Sequence, residues 1–507
     1  MSARADDAEA ALPLQAADRR TYGGAAPGPE QDVYELADVM DGFGIRSYHW
    51  KVLLLSWVLQ LCPAAVVMTT PFVLKPIREE FDINRPTVAL IGSAVTTGAV
   101  IGVLVFGPLH DQIGRKRANL LAVLGIGILA VMHLALPSHL EPLGQVEVRS
   151  FVCLVMLRFA IGIAFGGAAG YALLHFVEFL PARLRGLMMT LSSLGWSIGT
   201  LYSIMIASVF EKDWRVVLAS PVLVCCLAFP LLLVGPESPR WLFTVGREQE
   251  SRSVLGEIAA SRRLLSPELP TRKLNSVPER VVLSHKVVDP DKDANLCSDM
   301  KTLFGPSLRR TTIVTMVIQV SVNGASYVNL IWMPEILTGL LGTRRVPYEM
   351  FVYSEVVSWV GTLWSAWAMD HWGRRPTLTI CLVGTAVTMQ ALVMVPGTYN
   401  WILFVFLLQS AAGGGIWPAM QTYCAECFPT VLRGTGGSLC QGLGRTASVL
   451  LPIVVGALLD GQAREHGIAG DRKVSSAISF SALIWSLGAL GALMIPLETA
   501  NSKMADS

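Results

Sequence analysis

Long apolar stretches alternate with short polar segments along most of the chain. Each stretch holds about 18 to 25 mostly uncharged residues, and a helix of that length crosses roughly 30 Å of hydrocarbon at about 1.5 Å per residue. Such stretches are predicted to be helices because a helix satisfies its own backbone hydrogen bonds inside a bilayer. The twelve predicted spans are 50–74, 87–109, 117–137, 150–176, 186–209, 215–235, 311–335, 350–369, 376–396, 400–423, 434–459 and 474–496.

Polar segments flank and divide these spans. Residues 1–49 begin with a tail rich in Ala, Gly, Pro, Asp and Glu, which predicts disorder, and end in a short helix ahead of the membrane. Six spans fill 50–235 and six fill 311–496, and 497–507 form a C-terminal tail. Between the two sets lies a charged central linker, 236–310, which is predicted to hold short amphipathic helices.

The orientation follows from the span count and the linker. An even number of spans places both termini on one side of the membrane. Lys and Arg residues in the short loops do not separate the two sides, and the many basic residues of the central linker assign that side to the cytosol.

Composition restricts the class of protein. The chain has 507 residues, of which 52% are hydrophobic and 15% charged, and its mean hydropathy is +0.51. This is more apolar surface than a soluble protein could bury, so a lipid bilayer is the expected surrounding. A net charge of +2 gives no concentrated basic face, and no nucleic-acid partner is expected.

The nine cysteines are scattered. We find no phosphate loop, nucleophile–base spacing or metal cluster, so neither an enzyme nor a bound metal or cofactor is expected.

Two charged motifs occur twice. GPLHDQIGRKR at 107–117 returns in diverged form as DHWGRRP at 370–376, and the pattern E-x-[LF]-P-x-x-L-R-G occurs at 178–186 and at 426–434. The chain is therefore predicted to be an internal duplication. Charged side chains at these helix ends could form a latch on the cytosolic side through charge-assisted hydrogen bonds, or could serve only to orient the loops. The predicted gate residues are Asp111, Arg115, Glu178, Arg185, Asp370, Arg374, Glu426 and Arg433.

Three charged residues fall inside predicted spans, where an unpaired charge costs about 2.5 to 3.5 kcal/mol on insertion scales. Arg158 is interpreted either as a structural arginine that binds backbone carbonyls or as a coupling charge. Glu355 is about one turn into its span, and could either reach the interface or carry a proton. Arg445 follows a glycine-rich segment near mid-bilayer and favours an anionic solute.

Further polar and aromatic side chains on apolar helices indicate a wet central cavity, although each alone is more typical of an interhelical hydrogen bond or an interface anchor. Gln319, Asn323 and Tyr327 are spaced at i, i+4 and i+8 and so share one helix face. The remaining candidates for solute binding are Gln441, Gln60 and Trp417.

The motifs together resemble those of the major facilitator superfamily. The two loop motifs, the two E-x-[LF]-P-x-x-L-R-G segments and GPESPRWL at 235–242 occur in the order typical of its sugar-porter and organic-ion branches. DVMDGFGIRSYHWK, NGASY, GRTASVLLP and IPLET are most similar to the synaptic vesicle 2-related and organic-ion transporters. The resemblance implies an all-α membrane protein of two pseudo-symmetric six-helix bundles, a central binding site and alternating access.

Arg445 falls where organic-anion members of that group carry an arginine. The sequence also differs from the pattern of these transporters in three ways. The loop after the first helix is short, that helix lacks acidic residues, and Gln112 replaces a common arginine.

The predicted function is secondary active or facilitative transport of a small organic anion or zwitterion, with a proton as one candidate co-transported ion. A sugar or polyol carrier is the alternative in the same class, and a transport-incompetent receptor or scaffold is the alternative from another class. The predicted location is the plasma membrane or an intracellular vesicle membrane.

Overall fold

A computed structural model describes residues 33–136, 144–181, 185–265, 276–278, 280–282, 296–343, 345–394, 398–428, 432–460 and 469–496. The predicted C-terminal tail and the first 32 residues of the predicted N-terminal tail lie outside the described residues.

The described part of the chain is almost entirely helical. Its helices are α1 (Leu36–Phe43), α2 (Ser47–Met68), α3 (Thr70–Phe81), α4 (Arg85–Ile113), α5 (Arg115–Met132), α6 (Gly144–Val177), α7 (Arg185–Val209), α8 (Trp214–Ala219), α9 (Pro221–Val234), α10 (Pro239–Thr244), α11 (Glu248–Ala260), α12 (Leu296–Leu303), α13 (Arg309–Leu341), α14 (Tyr348–His371), α15 (Arg374–Met394), α16 (Tyr399–Gly414), α17 (Ile416–Glu426), α18 (Arg433–Asp460) and α19 (Ala469–Leu493). The strands are β1 (Val33–Glu35), β2 (Ile45–Arg46), β3 (Arg263–Leu265) and β4 (Arg280–Val282).

Ten helical segments among the described residues are long and apolar enough to cross a membrane. The other two predicted spans correspond to α7, which is rich in Ser and Thr, and to α14, which contains Glu355. The predicted twelve-helix membrane fold is confirmed.

Three spans consist of two helices each, α2 with α3, α8 with α9 and α16 with α17, joined through a single residue, Thr69, Ser220 or Gly415. A proline follows each junction within three residues, and its missing N–H interrupts the helical hydrogen bonds there.

Within each bundle, glycines allow one pair of helices to pack closely, and the pair is equivalent in the two bundles. In the N-terminal bundle, a Cβ added at Gly162 of α6 would collide with the Val95 carbonyl of α4. In the C-terminal bundle, a Cβ at Gly361 of α14 would collide with the Ala411 carbonyl of α16. These helices are the second and fourth spans of their halves, so the internal repeat extends to backbone packing as well as to loop motifs.

We call the side of the molecule that carries the central linker the linker face and the opposite side the far face. The two bundles pack together through α4 with α18, α3 with α13, and α7 with α14. On the far-face side of this contact Ser93 Oγ donates to the Val449 carbonyl at 2.8 Å. A Cβ at Gly456 would lie 3.1 Å from the carbonyl carbon of Arg85. The bundles therefore meet closely toward the far face.

The segment before the first span packs against the central linker. β1 pairs in parallel with β4, and β2 pairs antiparallel with β3. The apolar side of α1, including Val39 and Phe43, is buried in a core shared with the linker-face ends of the N-terminal bundle. Arg46 is buried and donates to the carbonyls of Ala259 at 2.6 Å and Ser261 at 2.9 Å. These contacts fix the pre-membrane segment to the central linker and to the linker-face end of the N-terminal bundle.

Candidate solute site and gates

The first loop motif forms a charged cluster at the linker face of the N-terminal bundle. Gly114 has φ of +100°, a conformation that favours glycine, and it turns the chain from α4 into α5. The turn places Arg115 2.7 Å from Asp111 and 3.2 Å from Glu178. Arg115 also donates to the His110 carbonyl at 2.8 Å. This arginine therefore joins the ends of α4, α5 and α6.

The second copy repeats this arrangement. Gly373 has φ of +99°, and Arg374 follows it with Nε 3.1 Å from Glu426. Arg374 also donates to the Met369 carbonyl at 3.2 Å, while Asp370 is exposed. The structure thus brings together five of the predicted gate residues as two clusters: Asp111, Arg115 and Glu178 in one bundle, and Arg374 and Glu426 in the other. Asp370 is the residue that precedes the second cluster by one turn. The side chains of the other two, Arg185 and Arg433, lie outside the described part of the chain.

The segment after the sixth span belongs to the N-terminal cluster. Glu237 accepts a hydrogen bond from the backbone N–H of Lys116 at 3.1 Å, and Trp241 Nε1 donates to the Asp111 carbonyl at 2.8 Å. Burial raises the pKa of Glu237, although the Ser238 and Lys116 amides act in the opposite direction. The sequence identifies GPESPRWL as a family motif but does not predict these contacts.

The far face carries an ion-pair network between the bundles. Arg78 of α3 and Arg85 of α4 each lie 2.8 Å from the same Glu335 oxygen on α13. Arg85 also pairs with Asp460 of α18 at 3.1 Å. This network was not predicted from the sequence, because the predicted seventh span ends at residue 335. The helix continues to Leu341, so Glu335 lies within α13 at the far-face contact.

Arg445 lies on α18, the helix that packs against α4 of the N-terminal bundle. It lies one turn toward the linker face from Val449, whose carbonyl is bonded to Ser93 of the N-terminal bundle. Residues at i and i+4 share a helix face, so Arg445 is directed at the N-terminal bundle too. Its side chain is half-buried, and Gln441, one further turn toward the linker face, is exposed. The half-buried arginine and the exposed glutamine therefore lie on the linker side of the Ser93–Val449 contact.

Three predicted solute-binding amides already have partners within one bundle. Asn323 donates to Gln319 Oε1 at 2.9 Å, and Gln319 Nε2 lies 3.1 Å from Cys424 Sγ of α17. Gln60 donates to the Ser192 carbonyl at 2.8 Å, which joins α2 to α7. Tyr327 and Trp417 are half-buried. The structure separates the two amides of α13, which face helices of their own bundle, from Arg445, which faces the other bundle.

A cavity of about 190 Å³ lies at the contact between the bundles. Glu355 lines it from α14, close to the Ser197 hydroxyl of α7. Asn329 lines it from α13: its Oδ1 accepts from Ser481 at 2.7 Å, and its buried Nδ2 has no hydrogen-bond partner among the described residues. The other side chains that line the cavity include Phe72, Thr200, Phe351, Ser354 and Gln409. The cavity thus combines a carboxylate and an available amide donor with aromatic walls.

Arg158 is fully buried in the N-terminal bundle. Its Nη1 donates to the Val66 carbonyl of α2 at 3.4 Å. Its Nε and Nη2 have no partner within the described part of the chain. This residue therefore binds a backbone carbonyl of α2 inside the bundle. Among the described residues, no three His, Cys, Asp or Glu side chains are placed to hold a metal ion.

Twelve membrane helices in two related bundles, with a cavity between them and charged clusters at both faces, define the class of membrane transporters. The chain matches the sequence model of the sugar (and other) transporter family over residues 64–463, and it belongs to this family. The predicted relationship to the major facilitator superfamily is confirmed. The chain is an integral multi-pass membrane protein and a transporter, a class that is distinct from enzymes.

Curated relatives and a solved structure agree with this assignment. The chain is 22% identical to the synaptic vesicle 2-related protein of Xenopus laevis, over 94% of this chain and 84% of that protein. It is 23% identical to organic cation/carnitine transporter 7 of Arabidopsis thaliana, over 95% and 97%. The inward open conformation of the xylose transporter XylE from E. coli superposes with a TM-score of 0.66 and 17% identity, covering 90% of this chain and 98% of that one, which shows the shared fold.

Proposed function

We propose that this chain carries a small organic anion or zwitterion across the plasma membrane or a vesicle membrane by alternating access. The observation that supports the proposal is the position of Arg445, which is half-buried on α18 one turn from Val449, whose carbonyl binds Ser93 of the N-terminal bundle. A cation in a largely apolar surrounding favours a solute group of negative charge, since an isolated buried charge is costly. In this proposal the carboxylate of the solute binds Arg445.

A zwitterion would also use Glu355. This carboxylate lines the cavity beside Phe72 and Phe351, and aromatic faces together with a carboxylate suit a quaternary or protonated amine. The Arabidopsis relative is called an organic cation/carnitine transporter, and carnitine carries both a carboxylate and a quaternary ammonium group. Tyr327, Trp417 and Gln441 are proposed to complete the wall of the site. Gln319, Asn323 and Gln60 would first have to exchange their present partners.

The arrangement of the charges supports alternating access. Within the described residues, the ion pairs that join the two bundles lie at the far face, and those of the linker-face clusters stay inside one bundle. The conformation is therefore interpreted as closed on the far face and open toward the linker face, which we take as cytosolic. In the opposite state, Asp111 and Asp370 would form the latch between the bundles.

A sugar or polyol is the second candidate solute. Asn329, Gln409, Thr200 and Ser354 supply amides and hydroxyls to the cavity, and such groups suit sugar hydroxyls. In that case Arg445 would have a structural role. A receptor or scaffold without transport would not need separate charged clusters on both faces, so these clusters weigh against it.

The test is uptake of radiolabelled solutes into proteoliposomes that contain the purified full-length protein. The panel is benzoate as an anion, carnitine as a zwitterion, tetraethylammonium as a cation and xylose as a sugar, each with and without an inward proton gradient. Uptake of benzoate or carnitine, without uptake of tetraethylammonium or xylose, is expected. Uptake of xylose alone would favour the second candidate, and stimulation by the gradient would identify the proton as the coupling ion.

A further inference from the structure

Glu355 is the one charged side chain among the described residues that line the cavity between the bundles. It lies on α14, and its carboxylate is close to the Ser197 hydroxyl of α7, which belongs to the other bundle. Uncharged residues of α2, α3, α7, α13 and α16 line the rest of the cavity. In the described part of the chain, α15 and α17 also pack against α14 but contribute no lining residue. Among these lining residues, the carboxylate therefore has no Lys, Arg or His partner.

A carboxylate without a cationic partner is costly in such a surrounding. The half-buried group shares its cavity with Phe72, Phe351 and Phe406, whose rings replace water poorly around a negative charge. The Ser197 hydroxyl supplies one neutral hydrogen bond, which makes up for only part of the lost hydration. Two events remove the remaining cost: the carboxylate binds a proton, or a cation binds beside it.

We propose that Glu355 is the proton-binding residue of this carrier, and that it exchanges its proton for the cationic group of a zwitterionic solute. As the solute binds, the O–H bond of the carboxyl group breaks, the proton leaves to water, and the carboxylate pairs with the ammonium group. The neighbouring rings suit a quaternary ammonium group, which binds aromatic faces. The inference deepens the proposed function, since it rests on a solute that carries both charges.

This exchange would couple transport to protons. A carrier that returns without solute would keep the proton on Glu355, because a bare carboxylate would otherwise remain in the apolar cavity. One proton would therefore move in the direction opposite to each zwitterion, and an inward proton gradient should slow carnitine uptake. Linkage also requires that the proton and the solute weaken each other's binding by the same factor.

The first test counts protons by calorimetry on the purified full-length protein, in buffers that differ in ionisation enthalpy. Carnitine binding should release close to one proton at low pH, kept above about pH 5 so that the carboxylate of carnitine stays ionised. The dissociation constant should fall by up to about tenfold per pH unit as the pH rises. The carbon isostere of carnitine, in which a tert-butyl group replaces the trimethylammonium group, should bind without proton release.

Glu355→Gln imitates the protonated carboxyl group and has no proton to exchange. It should weaken carnitine binding at high pH by about tenfold to a hundredfold, abolish the proton release and leave binding of the isostere unchanged. Glu349→Gln is the matched control, because Glu349 is an exposed acid in the first turn of the same helix. This variant should release protons as the natural protein does. The inference is overturned if carnitine binding releases no proton, or if Glu355→Gln does not change the number released.

A second test needs no solute. The infrared difference spectrum between the natural protein and Glu355→Gln should contain the C=O stretching band of a protonated carboxyl group, which an ionised carboxylate lacks. Absence of this band at the low pH of the calorimetry would also overturn the inference. A failure of the proposed function gives a separate result, in which the band is present and neither carnitine nor benzoate is taken up.

Discussion

Arg115 and Glu178 lie 3.2 Å apart at the linker face, and Arg374 and Glu426 repeat this relationship at 3.1 Å in the other bundle. Each arginine ties together the ends of helices in its own bundle. The Asp111 side chain is 73% exposed beside its cluster. The two clusters therefore form without a contact between the bundles. In the proposed mechanism, Asp111 and Asp370 make that contact when the linker face closes.

Replacing Asp111 or Asp370 with Ala should slow transport more than it weakens solute binding. The reason is that these aspartates are proposed to stabilise the closed linker face and do not touch the solute. Loss of about 1 kcal/mol from that state corresponds to a roughly five- to tenfold slower rate. Initial uptake rates and equilibrium binding would be compared, with Asp38→Ala as the control because Asp38 is an exposed acid on α1. Equal losses of rate and affinity would argue against a conformational role.

Replacing Arg445 with Gln should reduce uptake of a carboxylate solute by about tenfold to a hundredfold, the range expected when a charge-assisted hydrogen bond is lost. Arg445→Lys should retain part of the uptake, because it keeps the charge and loses the planar fork. Arg149→Gln is the control, since that side chain is exposed on α6. The measurement is uptake per folded protein, verified by size-exclusion chromatography. Unchanged uptake in Arg445→Gln would remove Arg445 from the site.

The spans and the linker-face clusters could be predicted because their signals are local. Apolar length identifies a transmembrane helix from its own residues, and the repeated motif places Arg374 and Glu426 in the same relation as Arg115 and Glu178. The far-face network has no such signal. Arg78 and Glu335 are 257 positions apart, and their pairing depends on how the two bundles are docked.

The spacing of polar residues also predicts which of them share a helix face, but it does not predict which neighbouring helix that face contacts. Gln319 and Asn323 do lie on one side of α13 and hydrogen-bond to each other, as their spacing suggested. That side faces α17 and α18 of the same bundle. The direction is set by close packing at Gly444, where an added Cβ would lie 2.9 Å from the Gln319 carbonyl. Such a contact between distant segments is not encoded in the spacing of either helix.

Gly162→Ala should destabilise the protein, because the new methyl group would collide with the Val95 carbonyl where α4 and α6 touch. Overpacking of this kind costs about 1 to 3 kcal/mol. Gly442→Ala is a chemically identical change on α18 at a position with no other atom within 4 Å, and it should be neutral or slightly stabilising because Ala favours a helix. Thermal unfolding of the purified variants would be compared. A similar unfolding temperature for the two variants would contradict the close packing of α4 on α6.

Glu237→Gln should change the pH dependence of stability. Burial raises the pKa of Glu237 above its ordinary value of 4.5. A carboxyl group whose pKa is raised on folding contributes most stability below its unfolded pKa, and this contribution is lost as the pH rises through the folded pKa. The unfolding temperature of the natural protein relative to Glu237→Gln should therefore fall as the pH rises above about 4.5. Glu248→Gln, at an exposed acid on α11, should show a smaller change. A relative stability that rises with pH over this range would mean that the hydrogen bonds from the Ser238 and Lys116 amides outweigh the burial of Glu237.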